Sequence, residues 1–143
     1  MKVMEQSGAL AKLCRQFGID TLYVFGSRAG EVKAWLEGIR PTLPPGPADV
    51  DVGAKTAQGL RLSVYEKVRL TLALEDLLGV TRVDLISLAE ADPFLSANVV
   101  RGERLYAHDS YQADEYELYI LRRVGDLAPL ERERLALILG EDE

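Results

Sequence analysis

Apolar side chains along this chain fall into two alternating rhythms, one helical and one extended. Over residues 3–17, Leu10, Leu13, Cys14 and Phe17 share one face at helical spacing, and Gly18 is a natural stop. Thr21-Leu22-Tyr23-Val24-Phe25 follows as a short run of β-forming residues. Gly26-Ser27 comes at once after it, and a second helix is expected to start there, with residues 31–38 continuing it as far as Gly38. Residues 40–47 (RPTLPPGP) hold four prolines and a glycine, a composition that leaves only a loop. Ala48 to Ala54 (ADVDVGA) alternates carboxylate with valine, a period of two that reads as a strand.

Residues 61–79 form the strongest helix. Leu62, Tyr65, Val68 and Leu72 are expected on its apolar stripe, with Leu74, Leu77 and Leu78 widening it and Gly79 closing the end. Arg82 to Ile86 reads as a third strand, and Asp92-Pro93 as a helix start, an acidic N-cap before proline at the first helical position. Gly102 ends that short helix, Glu103 to Ala107 adds a strand, and residues 111–139 are helical with a break or kink at Pro129. The order predicts an α/β (α+β) domain: a mixed sheet of about four strands with helices packed on it. Residues 1–143 are expected to form a single domain, with residues 31–47 a loop insertion and 111–139 a C-terminal helical segment.

The 143 residues suit one domain with a sizeable core. A net charge of -6 argues against long nucleic acid as the main ligand, since nonspecific binders are basic. A small nucleotide remains open, because metal ions can meet its charge. Cys14 is the one cysteine, which excludes an internal disulfide and a thiolate zinc site. No signal peptide is read at Met1 to Leu10, and no stretch approaches the roughly 18 apolar residues of a membrane span. The expected location is the cytoplasm.

Three features carry candidate chemistry. In the first, strand–Gly26-Ser27–helix, glycine permits close backbone approach and a helix N-terminus favours anions, so a phosphate could sit there. On its own that motif is common and often purely structural. In the second, Asp49 and Asp51 lie two apart on a strand, so both carboxylates share one face. They repel unless cations bind, and Mg²⁺ takes oxygen ligands of this kind; a polar strand face is the plainer reading. In the third, Asp84 sits within Arg82-Val83-Asp84-Leu85-Ile86, either on a solvent face or in a site. If its strand lies beside the Asp49–Asp51 strand, three carboxylates meet and two-metal phosphoryl chemistry becomes possible.

In this order the motifs resemble the DNA polymerase β-type nucleotidyltransferase superfamily. The matching stretches are LYVFGSRAG (22–30), ADVDVGA (48–54) and RVDLISL (82–88), and NVVRGERLYAHD (98–109) is similar to the family's closing segment. The chain looks most like the minimal nucleotidyltransferases, antitoxin partners of HEPN-domain toxins. The resemblance implies a nucleotidyltransferase-like fold and a protein adenylyltransferase that moves AMP from ATP to a tyrosine of the partner toxin. It implies Asp49, Asp51 and Asp84 as catalytic, metal-binding residues for two Mg²⁺ ions, with Mn²⁺ as a substitute. Gly26, Ser27 and, by position, Arg28 would bind the nucleotide. Twenty-one residues separate Ser27 from Asp49, more than is usual in the family, and the excess falls at Trp35 to Pro47. Such an insertion is tolerable because loop closure costs grow slowly with length.

Other readings stay open on sequence alone. The chain could be a non-catalytic antitoxin that neutralises its partner by contact, a metal-dependent nuclease, or an antibiotic-modifying nucleotidyltransferase. The last usually carries a larger helical second domain, and Gly-Ser before the paired acids argues against the nuclease. A homo-oligomer is also open. Cys14 reads as core by spacing, Lys55 as a surface residue and His108 as a turn residue. Trp35 reads as a partner anchor or a loop-packing residue. Tyr106, Tyr111, Tyr116 and Tyr119 could serve an interface or the core.

Overall fold

The computed structural model describes residues 2–140. Its elements are α1 (Lys2–Gln16), β1 (Ile19–Phe25), α2 (Ala29–Leu36), β2 (Val50–Thr56), α3 (Val64–Leu78), β3 (Val83–Ser87), α4 (Pro93–Val100), β4 (Glu103–Ala107) and α5 (Ser110–Leu139). The four strands form one mixed sheet in the order β3-β2-β1-β4. β1 is antiparallel to β2 and to β4, and β2 is parallel to β3. A parallel pair needs a crossover connection, and α3 supplies it.

The sheet is covered on both faces because its strands alternate two sets of apolar residues. Leu22, Val24, Val50, Val52 and Ala54 pack with Leu10, Cys14, Trp35, Leu70 and Leu74 under α1, α2 and α3. Tyr23 and Phe25 pack with Ala97, Val99 and Ile120 under α4 and α5. Gly53 belongs to this second face, and its missing side chain makes room: a Cβ there would stand 2.3 Å from Val99. Tyr23, fully buried, donates its hydroxyl to Glu117 of α5 at 2.7 Å, and Arg104 Nη1 donates to the same carboxylate at 3.0 Å.

Two caps fix helix starts near the predicted places. Ser63 and Glu66 form a reciprocal capping box on α3, and the Asp92 side chain accepts from the Leu95 amide ahead of Pro93 on α4. The predicted stripe of α3 needs correction. Leu70, Leu74 and Leu78 face the core, whereas Tyr65, Val68 and Leu72 are exposed. Leu62 is buried ahead of the helix. Apolar residues occupy two adjoining faces of α3, and the sheet takes the one whose i, i+4, i+8 leucines are uninterrupted.

Two further boundaries differ from expectation. Residues 31–36 lie within α2, as their helical reading expected, and Val32 and Trp35 are buried there; the loop proper runs from 37 to 49 and not from 31. Trp35 is therefore a core residue and not an exposed anchor. α5 runs as one continuous helix with Pro129 inside it, so the chain does not break there.

Candidate active site

The parallel register of β2 and β3 sets Asp84 directly opposite Asp51, with Val50 opposite Val83 and Val52 opposite Leu85. Asp49 immediately precedes β2, and Arg82 precedes β3; the Val50 amide donates to the Arg82 carbonyl at 3.1 Å, extending the pairing to these flanks. With side chains alternating, Asp49, Asp51 and Asp84 stand on the sheet face opposite Val50 and Val52. The valines are buried, Asp49 and Asp51 are half-buried, and Asp84 is exposed. Sequence order alone did not decide that β3 pairs with β2; the crossover through α3 does.

Burial and like charge meet at the centre of the trio. Burial first, then the charges of Asp84 and Asp49, push the Asp51 carboxyl above the usual aspartate range. Hard oxygen donors gathered on one face under strain of this kind fit a divalent cation such as Mg²⁺. Among the described residues no group of three or more His, Cys, Asp or Glu side chains is already set to hold a metal ion. Asp49 instead turns to Arg82, with Oδ2 3.4 Å from Nε. Arg82 escaped the sequence reading, although its spacing of two from Asp84 is the signal that places it on the carboxylate face.

The turn after β1 completes the cleft. Phe25 pairs with Asp51, so the chain leaves β1 beside that acid. Gly26 has φ of +81°, and a Cβ on it would lie 2.5 Å from Asp51 Oδ2. Only glycine meets both conditions without strain. Ser27 is exposed next to it. The helix does not begin at Gly26-Ser27 as expected: α2 starts at Ala29, whose amide donates back to the Gly26 carbonyl at 3.3 Å. No side chain caps that end.

Arg28 is held within the protein. Its side chain is turned inward, only 8% exposed, and three of its five N–H donors are engaged. Nε donates to Glu31 at 2.7 Å, Nη1 to the Ala48 carbonyl at 3.4 Å, and Nη2 to the Pro44 carbonyl. These bonds tie the guanidinium to the loop ahead of Asp49. Glu31 stands at the local i+3 spacing, whereas the two carbonyl acceptors lie sixteen and twenty residues downstream, beyond any local pattern.

The other singled-out residues lie away from the cleft. Cys14 is buried in the α1 face of the core, and burial pushes its thiol up to about 12. Lys55 pairs with Asp20 at 3.7 Å and stacks over Tyr116. Tyr106 and Tyr116 pack partly into the core, whereas Tyr111, Tyr119 and His108 are exposed. A cavity of about 480 Å³ opens at the far end of β2, lined by Lys55, Arg61, Leu88 and Tyr116 among others. None of the three acids lines it, so cavity size and candidate chemistry do not coincide. Among the described residues, no helix is long and apolar enough to cross a membrane.

No protein-family model matches the sequence, and no curated protein matches it. Solved structures do. A complex of a tri-AMPylated HEPN toxin with its MNT antitoxin from Shewanella oneidensis aligns over 99% of both chains, with a TM-score of 0.64 at 19% identity. A toxin–antitoxin structure with AMP-PNP aligns over 96% of this chain and 98% of that one, with a TM-score of 0.63 at 23% identity. A structure named for a minimal nucleotidyltransferase aligns over 72% of this chain and 94% of that one, with a TM-score of 0.50 at 29% identity. The four-stranded mixed sheet, its flanking helices and these likenesses agree: the chain has the nucleotidyltransferase fold found in minimal nucleotidyltransferases and MNT antitoxins.

Proposed function

We propose that the protein is a metal-dependent nucleotidyltransferase that moves AMP from ATP to a tyrosine hydroxyl of a HEPN-type toxin, and so acts as its antitoxin in the cytoplasm. One observation carries the reading: the β2–β3 register that brings Asp84 level with Asp51, on the face of Asp49 and beside the Gly26 turn. The structural likeness to a chain bound to an AMPylated HEPN toxin, and to a toxin–antitoxin structure with AMP-PNP, supports the nucleotide and the acceptor.

In this reading Asp49, Asp51 and Asp84 would hold Mg²⁺, Arg82 being the partner Asp49 would give up. Bound there, the ion would neutralise triphosphate charge and ease displacement at phosphorus. The open backbone at Gly26 and Ser27 receives the phosphates of ATP. The acceptor oxygen attacks the α-phosphorus in line, the bond to the bridging oxygen of the β-phosphate breaks, and pyrophosphate leaves. Asp84, the most exposed of the three acids, takes the hydroxyl proton. The chain's contribution is to position reactants and to place charge where it develops.

Intact-mass analysis of the toxin after incubation with this protein, ATP and Mg²⁺ tests the proposal. A gain of AMP units that disappears with Asp84→Asn is expected. A toxin that stays unmodified with all four nucleoside triphosphates, yet is inhibited in a tight complex, would replace the enzyme by a contact antitoxin. The exposed Leu130, Leu135, Leu137, Ile138 and Leu139 of α5 would suit such contact.

A further inference from the structure

We propose that Arg28 is a positioning residue, whose guanidinium holds the 37–49 segment and thereby sets Asp49 for metal binding. The inference rests on the nucleotidyltransferase reading and adds a part to it. Among the described residues, no amide of residues 40–49 donates to a backbone carbonyl, so this proline-rich stretch has no ladder of its own. Leu43 is buried, and Gln6 Nε2 donates to the Arg40 carbonyl at 3.0 Å. The end next to the acids is held by Arg28, through the carbonyls of Pro44 and Ala48.

The Ala48 carbonyl belongs to the same planar peptide unit as the Asp49 amide. Fixing its oxygen fixes the plane from which the Asp49 side chain departs. The Val50 amide is already fixed on the other side by Arg82. Asp49 is thus clamped between two held peptides, one of them by a side chain from the start of α2. Glu31, 34% exposed, holds Nε and aims the planar fork. Arginine suits the task because its donors lie in a rigid plane and span two acceptors; a lysine ammonium is a point charge.

The test combines three measurements on Arg28→Ala, Arg28→Lys and Glu31→Gln, each checked for native circular dichroism. Hydrogen exchange of the β2 amides from Val50 onward, the first hydrogen-bonded amides the segment leads into, reads how firmly it is anchored. Mn²⁺ affinity, followed by the electron paramagnetic resonance of the free ion, reads the site without turnover. AMP transfer against Mg²⁺ concentration reads catalysis. Arg28→Ala should speed exchange and weaken Mn²⁺ binding about tenfold or more, the range seen when a group supporting a metal ligand is lost. Its transfer rate should recover at high Mg²⁺. Arg28→Lys should fall between it and the native protein, and Glu31→Gln close to native. Faster exchange with unchanged Mn²⁺ affinity in Arg28→Ala would overturn the proposal, as would unchanged exchange. So would lost ATP binding in EDTA with Mn²⁺ binding intact, which would make Arg28 a phosphate ligand. Should Arg28→Ala fail to fold, the lysine variant decides by the same criteria. If the native protein binds Mn²⁺ but transfers no AMP, the reading of function fails and the positioning role stands or falls on the other two readouts.

Discussion

Replacing Asp51 by asparagine should stabilise the metal-free protein while abolishing its activity. Asp51 and Asp84 are direct neighbours in a parallel pair, so the strand spacing sets their side chains about 5 Å apart where they leave the sheet. Two unit charges at that distance in water-like surroundings repel by about 0.8 kcal/mol, and physiological salt removes roughly half. Asp49 adds a second, similar repulsion, and the partial burial of Asp51 adds to both. Neutralising Asp51 should therefore gain about 1 kcal/mol, or a rise in Tm of about 2–4 °C for a chain of this size. The pH dependence has a definite sign. The folded-state pKa of Asp51 is raised, so the native protein is favoured while the group is protonated and loses stability as pH rises through that pKa. The advantage of Asp51→Asn should thus be present at neutral pH and vanish below the pKa of an unfolded aspartate. Thermal unfolding in EDTA across that range measures it. Saturating Mg²⁺ should reverse the order, because binding about 100-fold above Kd stabilises only the native site, by about 2.7 kcal/mol. A metal-free Asp51→Asn protein that melts below the native one at neutral pH would refute the argument that the acids are held together against their repulsion.

Three other outcomes follow from the geometry. Gly26→Ala should destabilise by about 1–2 kcal/mol from its left-handed backbone alone, and should impair AMP transfer further by displacing Asp51; denaturant unfolding and the transfer assay separate the two. Leu74→Ala should lose about 2–5 kcal/mol, whereas Leu72→Ala, on the exposed side of the same helix, should change stability by less than about 0.5 kcal/mol. Equal losses at the two positions would contradict the packing of α3. Cys14, buried and with its thiol pushed up to about 12, should resist alkylation at pH 8 in the native protein and react at the rate of global unfolding.

The placement of the acids was more legible than the packing. Asp49, Asp51 and Asp84 each stand in a short apolar run of period two, so their element and their face could be read locally. Their meeting could not, because it depends on β3 lying beside β2, a relation created by the crossover helix. α3 shows the limit most clearly. Val64, Tyr65, Val68 and Leu72 make as good a stripe as Leu70, Leu74 and Leu78, and only the sheet beneath decides between them. Arg28 shows another limit. Beside a phosphate-type turn it reads as an anion ligand, yet the prolines that disrupt regular structure downstream leave carbonyls needing a donor, and it meets them. Two arginines, Arg28 through the Ala48 carbonyl and Arg82 through its guanidinium, flank Asp49 on either side.

The distal part of α5 has a consequence for the chain outside any complex. From Pro129 to Gly140 most positions are exposed, and the segment adds about 16 Å of helix at 1.5 Å per residue. Its leucines and isoleucine meet water, where a helical segment of this length without packing is only marginally stable. Uncovered, it offers an apolar face to other chains; covered, it is a stiff helix. The solubility of the protein is then coupled to whatever shelters that segment, and expression without a partner should yield material that aggregates through it.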